Sequence, residues 1–149
     1  MKGTLRWNRP AFRSLAVAAV CVCAGIPGGW LLGQYNNPNF TGGKVTPLKE
    51  GTDGTIAHFR FEPGARTKWH IHERGQIILV EEGVALTQVK GGPVIELRAG
   101  ETTFCPPGVV HWHGASPKEG GVQYNVTRGG ITWLEEVSDQ EFNAPAIHK

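Results

Sequence analysis

Four of the chain's six histidines fall into two His-x-His pairs, His70-x-His72 and His111-x-His113, about forty residues apart. Residues i and i+2 of a β-strand point to the same face, so each pair can turn two imidazoles toward one point. Gln76 follows His72 across a turn marked by Gly75 and opens the β-branched run Gln76 to Val80. A neighbouring strand there brings its amide oxygen within reach of the first pair. His111, after the turn-forming Pro106-Pro107-Gly108, arrives from elsewhere in the chain. His70, His72, Gln76 and His111 together make a nitrogen and oxygen donor set for a borderline or hard divalent metal, with positions left for water or substrate. A lone histidine is ordinarily a structural residue satisfied by hydrogen bonds. Two pairs in matching Gly and Pro punctuation point to a metal instead.

Short strands must position these residues. Ala57, Phe59 and Phe61 alternate with Ile56, His58 and Arg60, which sets an apolar face and leaves His58 exposed or satisfied by a partner. Further strands are expected over Thr67 to Ile71, Gln76 to Val80, Val84 to Lys90, Pro93 to Leu97, Thr102 to Cys105, Val109 to Trp112, Val122 to Thr127 and Ile131 to Leu134. They are separated by EEG, KGG, AGE, PPG, SPKEGG and RGG. Strands this short between Gly and Pro turns predict an all-β sandwich or barrel. Ser138, with Glu141 three residues on, marks a terminal helical turn. On the strand Val122 to Thr127, Gln123, Asn125 and Thr127 share one face that either lines the cavity or meets solvent, and burial alone favours solvent.

The chain of 149 residues suffices for one domain with its own core. Residues 1–33 read as a leader. Lys2, Arg6, Arg9 and Arg13 form a basic segment, Leu15 to Ala24 is apolar, and Gly25, Pro27, Gly28 and Gly29 break it. Export is expected, to the periplasm or outside the cell. The alternative is an inner-membrane anchor, although Pro27 and the glycines make a poor continuous span. Residues 34–46 read as a linker running into a first edge strand, or as a dimerisation arm, and 47–149 as the domain. The net charge of +2 is carried by the leader: 11 Lys and Arg remain after it against 13 Asp and Glu, which gives no reason to seek nucleic acid. Membrane contact is expected only through an uncleaved leader. Cys21 and Cys23 lie in the leader, so Cys105 has no partner for a disulfide and reads as a small buried hydrophobe.

Gly64, five residues, His70-x-His72, three residues, Gln76, six residues, Gly83 is similar to the first motif of the cupin superfamily. Gly100, five residues, Pro106-x-Gly108, two residues, His111 resembles the second. Gln76 stands where many cupins carry Glu, and Ala115 where an Asn often closes the second motif. The runs FEPGART, WHIHERGQ and PPGVVHWHGA resemble small bacterial manganese-dependent cupins of the hydroxynitrile lyase, or (R)-mandelonitrile lyase, type. The resemblance covers roughly residues 40 to 142. It implies a double-stranded β-helix, that is, a cupin jelly-roll barrel forming a single domain after the leader. It also implies a divalent metal, manganese first and Fe, Zn, Ni or Co as alternatives.

In such a barrel His113, two residues after His111, faces inward and is the expected general acid/base. Gln76 is neutral, so the donor set leaves the ion's formal charge of +2 uncancelled, which suits Lewis-acid chemistry. The activity implied is cleavage or formation of cyanohydrins, with Phe59, Ile78 and Val80 as apolar wall or plain core. A cupin dioxygenase or decarboxylase, and a non-enzymatic periplasmic metal or small-ligand binder, are the alternatives. Trp69 and Trp112 are expected to pack, and Arg66 to anchor a barrel edge through a salt bridge or to stabilise a neighbouring subunit. Apolar sheet edges need covering, so a homo-oligomer, a dimer or higher, is expected, with a small molecule as substrate.

Overall fold

Gln76–Val89 is the longest strand among the described residues and the one on which both sheets are built. The structure, a computed structural model, describes residues 37–50 and 55–149. In chain order the strands are β1 (Phe40–Thr41), β2 (Val45–Glu50), β3 (Ile56–Phe61), β4 (Arg66–Thr67), β5 (His70–His72) and β6 (Gln76–Val89). They continue as β7 (Val94–Arg98), β8 (Thr102–Cys105), β9 (His111–Ala115), β10 (Gly121–Thr127), β11 (Ile131–Trp133) and β12 (Ala146–His148). One short helix, α1 (Asp139–Phe142), interrupts them. Residues 1–33, expected as a leader, lie outside the described residues. The boundary drawn at 46/47 falls inside β2, and β1 makes part of the expected arm a strand paired with β4.

The first half of β6 pairs with β10 and β8, in a sheet that continues through β3 to β2. Its second half pairs with β7 and β9, in a sheet that continues to β4 and β1 and, further along β9, to β5 and β11. These pairings are antiparallel, and the architecture is the expected jelly-roll barrel. The EEG segment expected to turn the chain instead lies within β6. Val122 faces Glu82 while Gln123 faces Val80, so a bulge leaves Glu81 unmatched. Gly83 takes a φ of 70°, and a side chain there would strike the Gly120 carbonyl. The glycine bends β6 from one sheet into the other without ending it. Gly114 has a different task, because any Cβ would press on Ala65 and Arg66 of the adjoining segment.

Apolar residues pack in three groups. Val45, Phe61, Ala65 and Ala115 close one region of the barrel interior against Phe40 and Phe59, and Val80, Ala85 and Leu97 fill another. A third group lies under the C-terminal segment, where Trp69, Leu86, Val94 and Trp112 meet Val137 and Phe142. Both tryptophans are packed there, away from the histidines' inward face. Arg66 secures this cover. Its Nη2 donates to Val137 O at 3.2 Å and to Asp139 Oδ1 at 2.6 Å, and its guanidinium lies 4.3 Å over the Phe142 ring. Ser138 and Glu141 form the expected capping box of α1. After it, β12 pairs parallel with β7, an edge strand with no apolar alternation to announce it. His58 is satisfied by a 2.6 Å contact to Glu81 and by stacking on Tyr124 at 3.8 Å.

Candidate metal centre

His70 of β5 lies directly opposite His111 of β9, so antiparallel pairing joins residues from the two motifs. One ring nitrogen from each of His70, His72 and His111 lies within 4.8 Å of the others. All three residues are buried. Burial, with the neighbouring His111 next, lowers the pKa of His70 from 6.5 to about 3 and that of His72 to about 4. Burial also lowers that of His111. Neutral imidazoles keep a lone pair for a ligand bond.

The hydrogen bonds orient those lone pairs. His70 Nδ1 donates to Lys68 O at 2.9 Å and His111 Nδ1 to Val109 O at 3.2 Å. In each the Nε2 is left bare. Both ring nitrogens of His72 are buried without a partner, an arrangement that is unfavourable unless a ligand completes it.

A second chain of bonds reaches the same point from β10. Gln123 is fully buried, and its Nε2 donates to Gly114 O at 2.8 Å. Its Oε1 therefore accepts from His113 Nδ1 at 3.0 Å, which leaves His113 Nε2 as an acceptor. Gln76 Nε2 faces that atom at 3.5 Å. The Gln76 Oε1 lies 2.8 Å from His111 Nε2, a spacing that suits two neighbouring ligands of one cation, since adjacent ligands with bonds of ~2.1 Å sit roughly 3 Å apart. His70, His72, Gln76 and His111 thus fit a divalent metal by burial, tautomer and donor type. His113 is buried beside them, its pKa well below the ordinary value through burial and the nearby His70 and His111.

A cavity of ~190 Å³ opens beside the histidines. Phe40, Phe59, Ile131 and Trp133 supply an apolar wall, and His113, Asn125 and Thr127 line it as well. Ile78 and Val80 are plain core. The larger concavity, ~800 Å³ near Glu96, Arg98 and Lys118, holds none of the histidines. Gln123 and Asn125 correct the expectation of a solvent-facing polar set on β10, being 0% and 3% exposed. Their alternation was visible in the sequence, but burial arithmetic alone turned it the wrong way, because a site's inner wall is polar. Cys105 is buried, and burial raises its pKa to about 11, as fits an inert thiol.

Comparison with known proteins agrees with the geometry. A cupin-domain family model matches residues 57–126. An (R)-mandelonitrile lyase from Granulicella tundricola is 36% identical over 111 residues, which are 69% of this chain and 85% of the relative. A cupin-like protein from Thermotoga maritima has a crystal structure that superposes with a TM-score of 0.63 at 36% identity, over 74% of this chain and 90% of its own. A double-stranded β-helix protein from Klebsiella pneumoniae, at 24% identity and a TM-score of 0.51 over 68% of this chain and 89% of its own, shares the fold.

Proposed function

The chain belongs to the cupin family, and from that premise we propose that it is a manganese-dependent lyase that cleaves and forms cyanohydrins of small aromatic aldehydes. The observation that carries the metal is the buried cluster of His70, His72 and His111, with one ring nitrogen of each within 4.8 Å of the others. His70, His72, Gln76 and His111 would hold the ion. The reaction is suggested by the 36% identity to the Granulicella tundricola lyase and supported by the apolar wall beside His113.

The metal, when bound, supplies Lewis acidity that lowers the pKa of a substrate hydroxyl. His113 Nε2 is the proton acceptor, because Gln123 holds the proton of this ring on Nδ1. As the hydroxyl proton moves to Nε2, the oxygen becomes the aldehyde carbonyl and the bond to the nitrile carbon breaks. His113 then returns the proton to the departing cyanide, which leaves as hydrogen cyanide. Throughout, Nδ1–H continues to donate to Gln123, so the imidazolium has a fixed acceptor. Phe59 and Trp133 keep water from the aldehyde.

Two further features belong to this proposal. The protein is exported by means of residues 1–33, whose basic and apolar segments fit a leader. It also works as a homodimer through the outer face of the sheet containing β3, β10, β6 and β8. Ile56, Val126, Ile77 and Phe104 align across those four strands, and three of them are among the exposed large hydrophobics.

Aldehyde release from racemic mandelonitrile tests the activity, with manganese-loaded protein, a chelator-treated sample and His70→Ala side by side. Enantioselective release that needs the metal and disappears in the variant is expected. Protein holding one metal per chain without release would refute the lyase and turn attention to oxygen uptake or to ligand binding without turnover.

A further inference from the structure

Asn125 is the one side chain among the described cavity-lining residues whose two polar atoms are both buried without a hydrogen-bond partner, apart from His72. Its neighbours on the inward face of β10 are otherwise engaged or placed. Gln123 has both its polar atoms hydrogen-bonded, to His113 and to Gly114, and Thr127 lies opposite Gln76 in register. Asn125 lies opposite Ala57 on one side and Ile78 on the other, neither of which has a polar side chain to offer. Leaving a buried carboxamide unpaired is unfavourable, and a residue such as Leu would fit this apolar neighbourhood without that cost. Its place at a cavity wall points to a ligand.

The rest of the lining restricts what that ligand is. No Lys, Arg, Asp or Glu lines the cavity among the described residues, so nothing pairs with a charged tail. The volume of ~190 Å³ lies below the usual range of drug-sized pockets, roughly 300–1,000 Å³, and suits a single ring with a few further atoms. A neutral acceptor such as a nitrile or carbonyl nitrogen or oxygen matches the Nδ2 donors of Asn125.

We propose that Asn125 is the specificity-determining residue of the cavity, donating a hydrogen bond to the neutral polar substituent beside the hydroxyl of a small aromatic ligand. The inference rests on the proposed function for its choice of probes. It extends that reading by separating recognition of the substituent from recognition of the hydroxyl.

Two unreactive probes isolate the substituent: mandelamide, which carries a neutral carboxamide beside the hydroxyl, and benzyl alcohol, which lacks it. Calorimetry on metal-loaded protein should find mandelamide bound about tenfold more tightly than benzyl alcohol. In Asn125→Leu that gap should close while metal content stays at one per chain and the melting temperature rises, since an unpaired buried amide has been removed. Asn125→Asp, of the same shape but without N–H donors, should close the gap as well and serves if the Leu variant does not fold. A gap that survives in these variants, or wild-type protein that binds neither probe or both alike, overturns the proposal. Mandelonitrile turnover in the same samples keeps the two readings apart. An Asn125-dependent gap without turnover sinks the lyase alone, whereas turnover with no such gap sinks the role of Asn125 alone.

Discussion

The tautomer of His113 is fixed by a residue that does not line the cavity. Gln123 can accept from His113 Nδ1 because its own amide nitrogen is tied to Gly114 O. Gln123→Leu therefore frees the ring to carry its proton on either nitrogen, and kcat should fall ~10- to 100-fold with KM and metal content little changed. A pH-rate profile would show the acid limb displaced, which a merely structural loss would not do. The histidines also make stability depend on pH before any metal binds. His70 and His72 resist protonation in the folded protein until pH about 3 and about 4, whereas the unfolded chain takes up those protons near 6.5. The unfolded state binds more protons between these limits, so stability is full above pH 6.5 and is lost as the pH falls toward 3. Thermal unfolding of chelator-treated protein should show a melting temperature that declines steadily over that window. The spacing of His70, His72, Gln76 and His111 was legible in the sequence because strand geometry and spacing bring them together. Gln123 and Asn125 were not, since nothing local distinguishes a polar face turned to a cavity from one turned to water.

Among the elements, the C-terminal segment shows how a cover is attached to a barrel. Arg66 is buried and bonds to Val137 O, to Asp139 and to the face of Phe142. Arg66→Met retains much of the stem but removes these bonds, and should destabilise the protein by about 1–3 kcal/mol. Amide exchange should quicken in residues 137–142 more than in β6. The capping box was readable from Ser138 and Glu141 alone, because its chemistry is confined to four residues. The continuity of β6 was not, because a glycine after two glutamates reads as a turn. Only the pairing of Glu82 with Val122 and of Val80 with Gln123 reveals a bulged strand that passes between sheets. β12 escaped notice for a related reason: its three exposed residues gain their order from β7, not from their own sequence.

At the scale of the whole molecule, β10 turns Gln123 and Asn125 inward and leaves Tyr124 and Val126 on its outer face. The outer row that Val126 shares with Phe104, Ile77 and Ile56 is the surface proposed for self-association. Phe104→Glu together with Ile77→Glu should convert a dimer to a monomer in sedimentation without removing the metal; a wild-type monomer would refute that surface. The three-residue β5 bears on how the molecule comes apart. Its neighbours are remote in sequence, β9 through His111 and β11 through Ile131, whereas β6 and β7 form a local hairpin. Closing the long loops should delay β5 relative to the hairpin. An ion held by β5, β6 and β9 together would then meet its ligands only after the rate-limiting barrier to folding. Stopped-flow measurements should find the refolding rate the same with and without manganese, and the unfolding rate lower with it, the behaviour of an ion that would latch the native state with no part in reaching it.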